Sequence, residues 1–205
     1  MKHFRRLAAL VIMTVTLFAS ALPVMAKASY VVKDGVLQMT DFPGMKGTVY
    51  CKEYKVGGTF YTYDKTGKHR TTGGGLYYVK IGKKYEYVAG AQCLAYARYL
   101  QEKLYGVNDG VNSKKFRSVG SLPASKMNAK SLKKLIKEGG RGAHLRTWGK
   151  QHSFFVLKVT DDYFTVADAN GNGGSGKIAI KKYTYKAYAN SGWGKRGIAY
   201  LNVKK

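Results

Sequence analysis

His152-Ser153-Phe154-Phe155-Val156-Leu157-Lys158-Val159-Thr160-Asp161-Asp162-Tyr163-Phe164-Thr165-Val166-Ala167-Asp168-Ala169-Asn170 reads as one β-hairpin. Ser153 to Val159 is a nearly continuous apolar run, the pattern of a central strand buried on both faces. Thr160-Asp161-Asp162 is a turn, and Tyr163 to Ala167 is the return strand. A Gly-rich loop, Asn170 to Gly176, follows. His152, Asp168 and Asn170 all carry even numbers, so they share a face only if His152 stands opposite Asn170. That requires a three-residue loop at Thr160 to Asp162, a bulge, or an irregular start to the first strand. A two-residue loop at Asp161-Asp162 turns His152 away from Asp168.

Upstream of the hairpin, Ala143-His144-Leu145-Arg146 reads as a short strand. Residues 125 to 138 read as a helix with Leu132, Leu135 and Ile136 inward, ended by Gly139-Gly140. Residues 106 to 121 are polar and Gly-containing, a loop. Gln92 to Tyr105 is a second helical stretch, with Cys93, Ala97, Leu100 and Leu104 on one stripe and Gly106 as its C-terminal cap. Residues 29 to about 90 read as short strands and turns, including a hairpin over Gly75 to Val88. Downstream, Lys177 to Tyr185 and Gly197 to Val203 complete the strands. Helices first and an antiparallel sheet afterwards predict an α+β fold. There is no internal repeat.

The N-terminus reads as an export signal. Met1-Lys2-His3-Phe4-Arg5-Arg6 is basic, Leu7 to Leu22 is largely apolar, and small residues allow cleavage after Ala26 or Ala28. The apolar stretch of about 16 residues is short for a membrane span; an uncleaved anchor is the alternative, and no later segment is apolar enough to span. Residues 27–84 form a β-rich N-terminal region and residues 85–205 the remainder, with 27–205 expected to be one compact unit. Removing Lys2, Arg5 and Arg6 leaves 33 of the 36 basic residues against 11 acids, a formal net charge of +22. On a secreted chain such a charge favours polyanions, or serves solubility alone.

Cys93 starts the helix of Gly90-Ala91-Gln92-Cys93-Leu94-Ala95-Tyr96. A thiol attacks only as thiolate. A helix N-terminus lowers its pKa, and a neighbouring imidazole does the rest by ion pairing. The imidazole needs an acid or amide to hold its tautomer. Cys93, His152 and Asp168 or Asn170 match these needs in type. The Cys93 backbone N–H is then placed to stabilise an oxyanion, with Gln92 as a second donor. No Cys/His spacing suits a metal, and no cofactor is expected.

This order of parts resembles the papain-like superfamily, and most closely its cysteine- and histidine-dependent amidohydrolase/peptidase (CHAP) branch. Gly90-Ala91-Gln92-Cys93 is similar to the family's Gly-Gln-Cys helix start. His152 before an apolar strand is similar to its histidine strand, and Asp168-Ala169-Asn170 to its acid-x-Asn element. The resemblance covers residues about 85 to 175. Ser153 stands where small apolar residues are usual, the acid is Asp where Glu is common, and the N-terminal 60 residues have no counterpart. The resemblance implies a papain-like fold, with an N-terminal catalytic helix packed on a central antiparallel sheet. It also implies a secreted amidase or endopeptidase acting on bacterial peptidoglycan, with anionic cell-wall polymer as a further partner. A secreted cysteine peptidase acting on proteins would use the same residues. Two non-enzymatic readings stand beside these. One is a basic wall- or glycan-binding protein with Cys51 and Cys93 as a disulfide; the other, resting on charge alone, is a nucleic-acid binder. Cys93 as a core thiol and Asp168 and Asn170 as turn residues are the bland alternatives. The tyrosines and the Trp148 and Trp193 surroundings fit either sheet packing or a stacking surface.

Overall fold

The computed structural model describes residues 30–45, 47–149, 152–170 and 175–205. The expected export signal lies outside the described residues. The molecule is a mixed α/β structure of antiparallel sheets and few helices. Strands β1 (Tyr30–Lys33), β2 (Val36–Thr40) and β3 (Thr48–Cys51) form a three-stranded meander. Strands β4 (Thr62–Tyr63), β5 (His69–Arg70), β6 (Leu76–Ile81) and β7 (Lys84–Ala89) form a second sheet in the order β5-β4-β6-β7. Helix α1 (Gln92–Tyr105) follows directly. Then come β8 (Phe116–Ser118), helix α2 (Ala129–Gly139), β9 (His144–Thr147), β10 (Ser153–Val159), β11 (Tyr163–Ala169), β12 (Ile178–Thr184), the short helix α3 (Tyr185–Asn190) and β13 (Ile198–Lys204). The strands after α1 make one six-stranded antiparallel sheet in the order β12-β11-β10-β9-β13-β8.

The apolar run of β10 is explained by two cores. Phe155 and Leu157 face one core, with Tyr96 and Leu100 of α1 and Leu37, Met39 and Phe60 of the N-terminal region. Phe154 and Val156 face the other, with Leu132 and Ile136 of α2, Tyr188 of α3 and Leu201. Alternation along one strand thus fills both sides of the sheet. The N-terminal region shares its apolar interior with α1 and the central sheet.

The register of the β10–β11 hairpin answers the condition read from the sequence. The turn is the short one: the Thr160 N–H donates to the Tyr163 carbonyl at 2.9 Å across Asp161-Asp162. By itself this would put His152 and Asp168 on opposite faces. A β-bulge between Val156 and Lys158 absorbs one residue, so that Val156 pairs with Val166 and Phe155 with Ala167. Extended to the strand start, that register sets His152 opposite Asn170, on the face of Asp168.

Several boundaries differ from expectation. The stretch read as a loop contains β8, which joins the sheet beside β13. The second helix begins at Ala129, capped by the Asn128 side chain accepting from the Ser131 N–H. β12 stops at Thr184, whose hydroxyl caps α3, a helix the alternating Lys/Tyr pattern concealed. Gln101, off the stripe of Cys93, Ala97, Leu100 and Leu104, is also fully buried and accepts the Asp109 N–H.

Candidate active site

Helix α1 begins without a side-chain cap, and its entry is held by the chain before it. The Gly90 and Ala91 N–H groups donate to the carbonyls of Gly75 and Gly73, in the loop between β5 and β6. Gln92 adopts a left-handed φ of 39°, and its N–H donates to Thr62 Oγ1 at 3.1 Å. A non-glycine residue there costs roughly 1–2 kcal/mol and persists because its surroundings over-determine it. The N-terminal region therefore fixes the direction in which Cys93 leaves the first turn.

His152 precedes β10, its backbone clamped to Thr147 by reciprocal bonds of 2.9 Å. Its Nε2 lies 2.8 Å from Asp168 Oδ1, with both residues buried. Its other side-chain hydrogen-bond partner is the Cys93 thiol, and with Nε2 held by Asp168 the nitrogen left to meet sulfur is Nδ1. Trp193 stacks on the ring at 4.2 Å between centroids and 15° between planes, shielding the histidine–aspartate bond. Asp168 Oδ2 accepts from Lys181 of β12.

The electrostatics favour an ion pair. Burial raises the Cys93 thiol's pKa, but the hydrogen bond and charge of His152, the Ser153 backbone N–H and the Arg146 charge bring it below the ordinary thiol value. Burial pushes the His152 pKa down, yet hydrogen bonds to Asp168 and to Cys93, with both charges, raise it to about 9. Burial likewise works against an ionised Asp168, but His152 and Lys181 hold its carboxyl below the usual carboxylate range. A thiolate beside an imidazolium is the nucleophilic form of such a pair.

Both groups open onto a cleft of about 480 Å³. The N-terminal region supplies Thr71, Thr72 and Gly73 to its wall, and the other side carries Arg146, Trp193 and Arg196. Asn170 also lines it, and among the described residues its Oδ1 is buried without a hydrogen-bond partner. Asp168, not Asn170, touches the imidazole. Gln92 takes a different place from the donor role expected of it. It is fully buried and outside the cleft lining, with Nε2 3.4 Å from His69 Nε2. The Cys93 N–H lies in the first turn of α1, where no helical carbonyl precedes it. Cys51 and Cys93 are both free thiols, so the disulfide alternative falls. Among the described residues no group of three or more His, Cys, Asp or Glu is arranged to hold a metal ion.

Sequence reasoning missed the shell around this pair. His144 Nε2 lies 2.9 Å from Ser153 Oγ, and its Nδ1 lies 2.8 Å from Asp109 Oδ2. Asp109 also accepts from Arg98 and Asn202, and Ser153 Oγ from Arg146. The bonding order is that of a serine triad, but Ser153 is 1 % exposed and absent from the cleft. This network is a scaffold that pins Ser153 under the sulfur and Arg146 beside it. Its members are dispersed between residues 98 and 202 with no local motif; His144 at the start of the preceding strand and the polar Ser153, where an apolar residue was expected, were the signals in the sequence. No protein-family model, curated protein or solved structure matches the chain.

Proposed function

We propose that the protein is an exported cysteine hydrolase of papain-like, CHAP-like architecture that cleaves amide bonds, with bacterial peptidoglycan as substrate. The observation that carries this reading is the Cys93–His152–Asp168 contact chain, with a lowered thiol pKa and a raised imidazole pKa, at the wall of a cleft. A helix with its nucleophile in the first turn, packed on β10 and β11, fits the papain-like arrangement. The Cys93 thiolate attacks the carbonyl carbon, and the displaced π pair becomes an oxyanion facing the Cys93 N–H. As the C–N bond breaks, His152 gives its Nδ1 proton to the leaving nitrogen, and a thioester remains. Water, deprotonated by His152, then attacks the thioester; sulfur leaves as thiolate and the acyl group as an acid. Asp168 keeps the Nε2 proton in place and the ring oriented throughout. The basic charge of the chain supports attraction to an anionic wall.

The test is zymography of the mature protein on purified cell walls and on casein, with Cys93→Ala as control. Clearing of the wall gel by wild type alone is expected. Clearing of casein alone would move the substrate class to proteins, and activity surviving in Cys93→Ala would overturn the hydrolase reading.

A further inference from the structure

We infer that the cleft takes a substrate bearing a carboxylate next to the scissile amide, received by Arg146 and Arg196. This rests on the hydrolase reading above and specifies its substrate class. Arg146 and Arg196 both line the cleft together with Cys93 and His152, and among the described residues no Asp or Glu lines it. The nearby acids are turned elsewhere: Asp168 lies beneath the imidazole with Lys181, and Asp109 is bonded to Arg98, His144 and Asn202. Apart from the Cys93 thiolate, which is paired with the His152 imidazolium, the charged side chains among the described lining residues are therefore both cationic.

Both guanidiniums are oriented in advance. Arg146, buried, donates from Nη1 to Ser153 Oγ at 2.9 Å, and Ser153 is itself held by His144. Arg196 lies 4.8 Å over the Trp193 ring, and Trp193 covers His152. A planar guanidinium fork matches the two oxygens of a carboxylate, and stacking on an indole limits the orientations it samples. An acid group in the cleft would thus be drawn to a fixed position relative to the sulfur, which is how charge at a site becomes substrate selection.

Alkylation tests this without knowledge of the natural substrate. Iodoacetate and iodoacetamide react by the same displacement: the thiolate bonds to carbon, iodide leaves, and a thioether forms. They differ only in carboxylate against amide, so their rate ratio does not depend on the fraction of thiolate. Cys93 modification in the mature protein would be followed by mass spectrometry at pH 7 and constant ionic strength, with N-acetylcysteine as the free-thiol reference. The iodoacetate/iodoacetamide ratio is expected to exceed that of the free thiol by about tenfold or more, and to fall several-fold in Arg146→Gln and in Arg196→Gln. The His152 imidazolium contributes to the wild-type ratio, so the arginine variants are decisive. Arg196→Gln, away from the Ser153 network, decides it alone if Arg146→Gln does not fold. An unchanged ratio in the folded arginine variants would overturn the carboxylate subsite and leave the hydrolase reading standing. Failure of Cys93 to react with iodoacetamide faster than the free thiol would instead remove the hydrolase reading.

Discussion

Cys51 and Cys93 are both buried and both free, yet their surroundings drive them apart. Cys51 ends β3 in an apolar core, where burial and then the Glu53 charge push its pKa up to about 12. Cys93 meets an imidazole and a backbone N–H, and is lowered despite its burial. A thiol titration of the native protein near neutral pH should therefore show one fast thiol, mapped to Cys93. Cys51 should react only after unfolding; equal rates would contradict the assigned environments. The pH dependence has a definite sign. Activity should appear as Cys93 ionises, below the ordinary thiol range, and be lost as His152 gives up its proton at about pH 9. A pH profile of kcat/KM checks both limbs. Asp168→Asn leaves the imidazolium without its buried anion and should lower kcat/KM by about 10²–10⁴-fold, with the alkaline limb displaced to lower pH. At this scale the sequence was informative wherever chemistry restricts residue type. Cys93 and His152 were legible by kind and order, and Asp168 only as one of two candidates with Asn170. Lys181, Arg146 and Trp193 were not, because Lys, Arg and Trp carry no positional signature until the sheet brings them to the site.

Helix α1 ends on glycines that do different things. Gly106, at φ 64°, caps the C-terminus with its N–H on the Glu102 carbonyl, and a Cβ there would meet nothing within 4 Å. Gly90, at φ 95°, precedes the helix, and a Cβ would fall 2.5 Å from Leu94 Cγ. Gly106→Ala should cost about 1 kcal/mol from backbone strain alone and leave Cys93 alkylation unchanged. Gly90→Ala should cost about 1–3 kcal/mol and slow that alkylation as well, because the helix entry must move. Denaturant unfolding with iodoacetamide kinetics separates the two. The limits of β10 were legible because two-sided burial demands an unbroken apolar run. The bulge was not, since nothing in Val156-Leu157-Lys158 marks it; only the pairing of a two-residue turn with a buried face on each side reveals that one residue must be absorbed. Helix α3 was illegible for the opposite reason: six residues rich in Tyr and Ala satisfy a strand pattern as well as a helical one.

For the whole molecule, the α+β class followed from helices preceding strands, but the place of residues 30–89 did not. The strands β1, β3 and β7 are short and largely exposed, so their sequence does not announce what they cover. Leu37, Met39 and Phe60 are fully buried against α1 and β10, and Thr71 to Gly73 reach the cleft. A chain begun at residue 85 should consequently lose solubility and cooperative unfolding, seen by size-exclusion chromatography and a thermal melt. The formal charge of +22 on residues 27–205 also predicts salt-dependent retention on anionic wall polymer. Co-sedimentation should weaken steeply as ionic strength rises toward 1 M, where the screening length is about 3 Å.

The face-to-face contact of Trp193 with His152 makes the molecule report on itself. A protonated imidazole quenches indole emission, so Trp193 should be dim while the thiolate–imidazolium pair is intact and brighten as the ring is titrated or its sulfur partner is capped. With two tryptophans in the chain, Trp148→Phe would isolate this signal. Fluorescence alone could then follow inhibitor capture in real time, with no dye or chromogenic substrate.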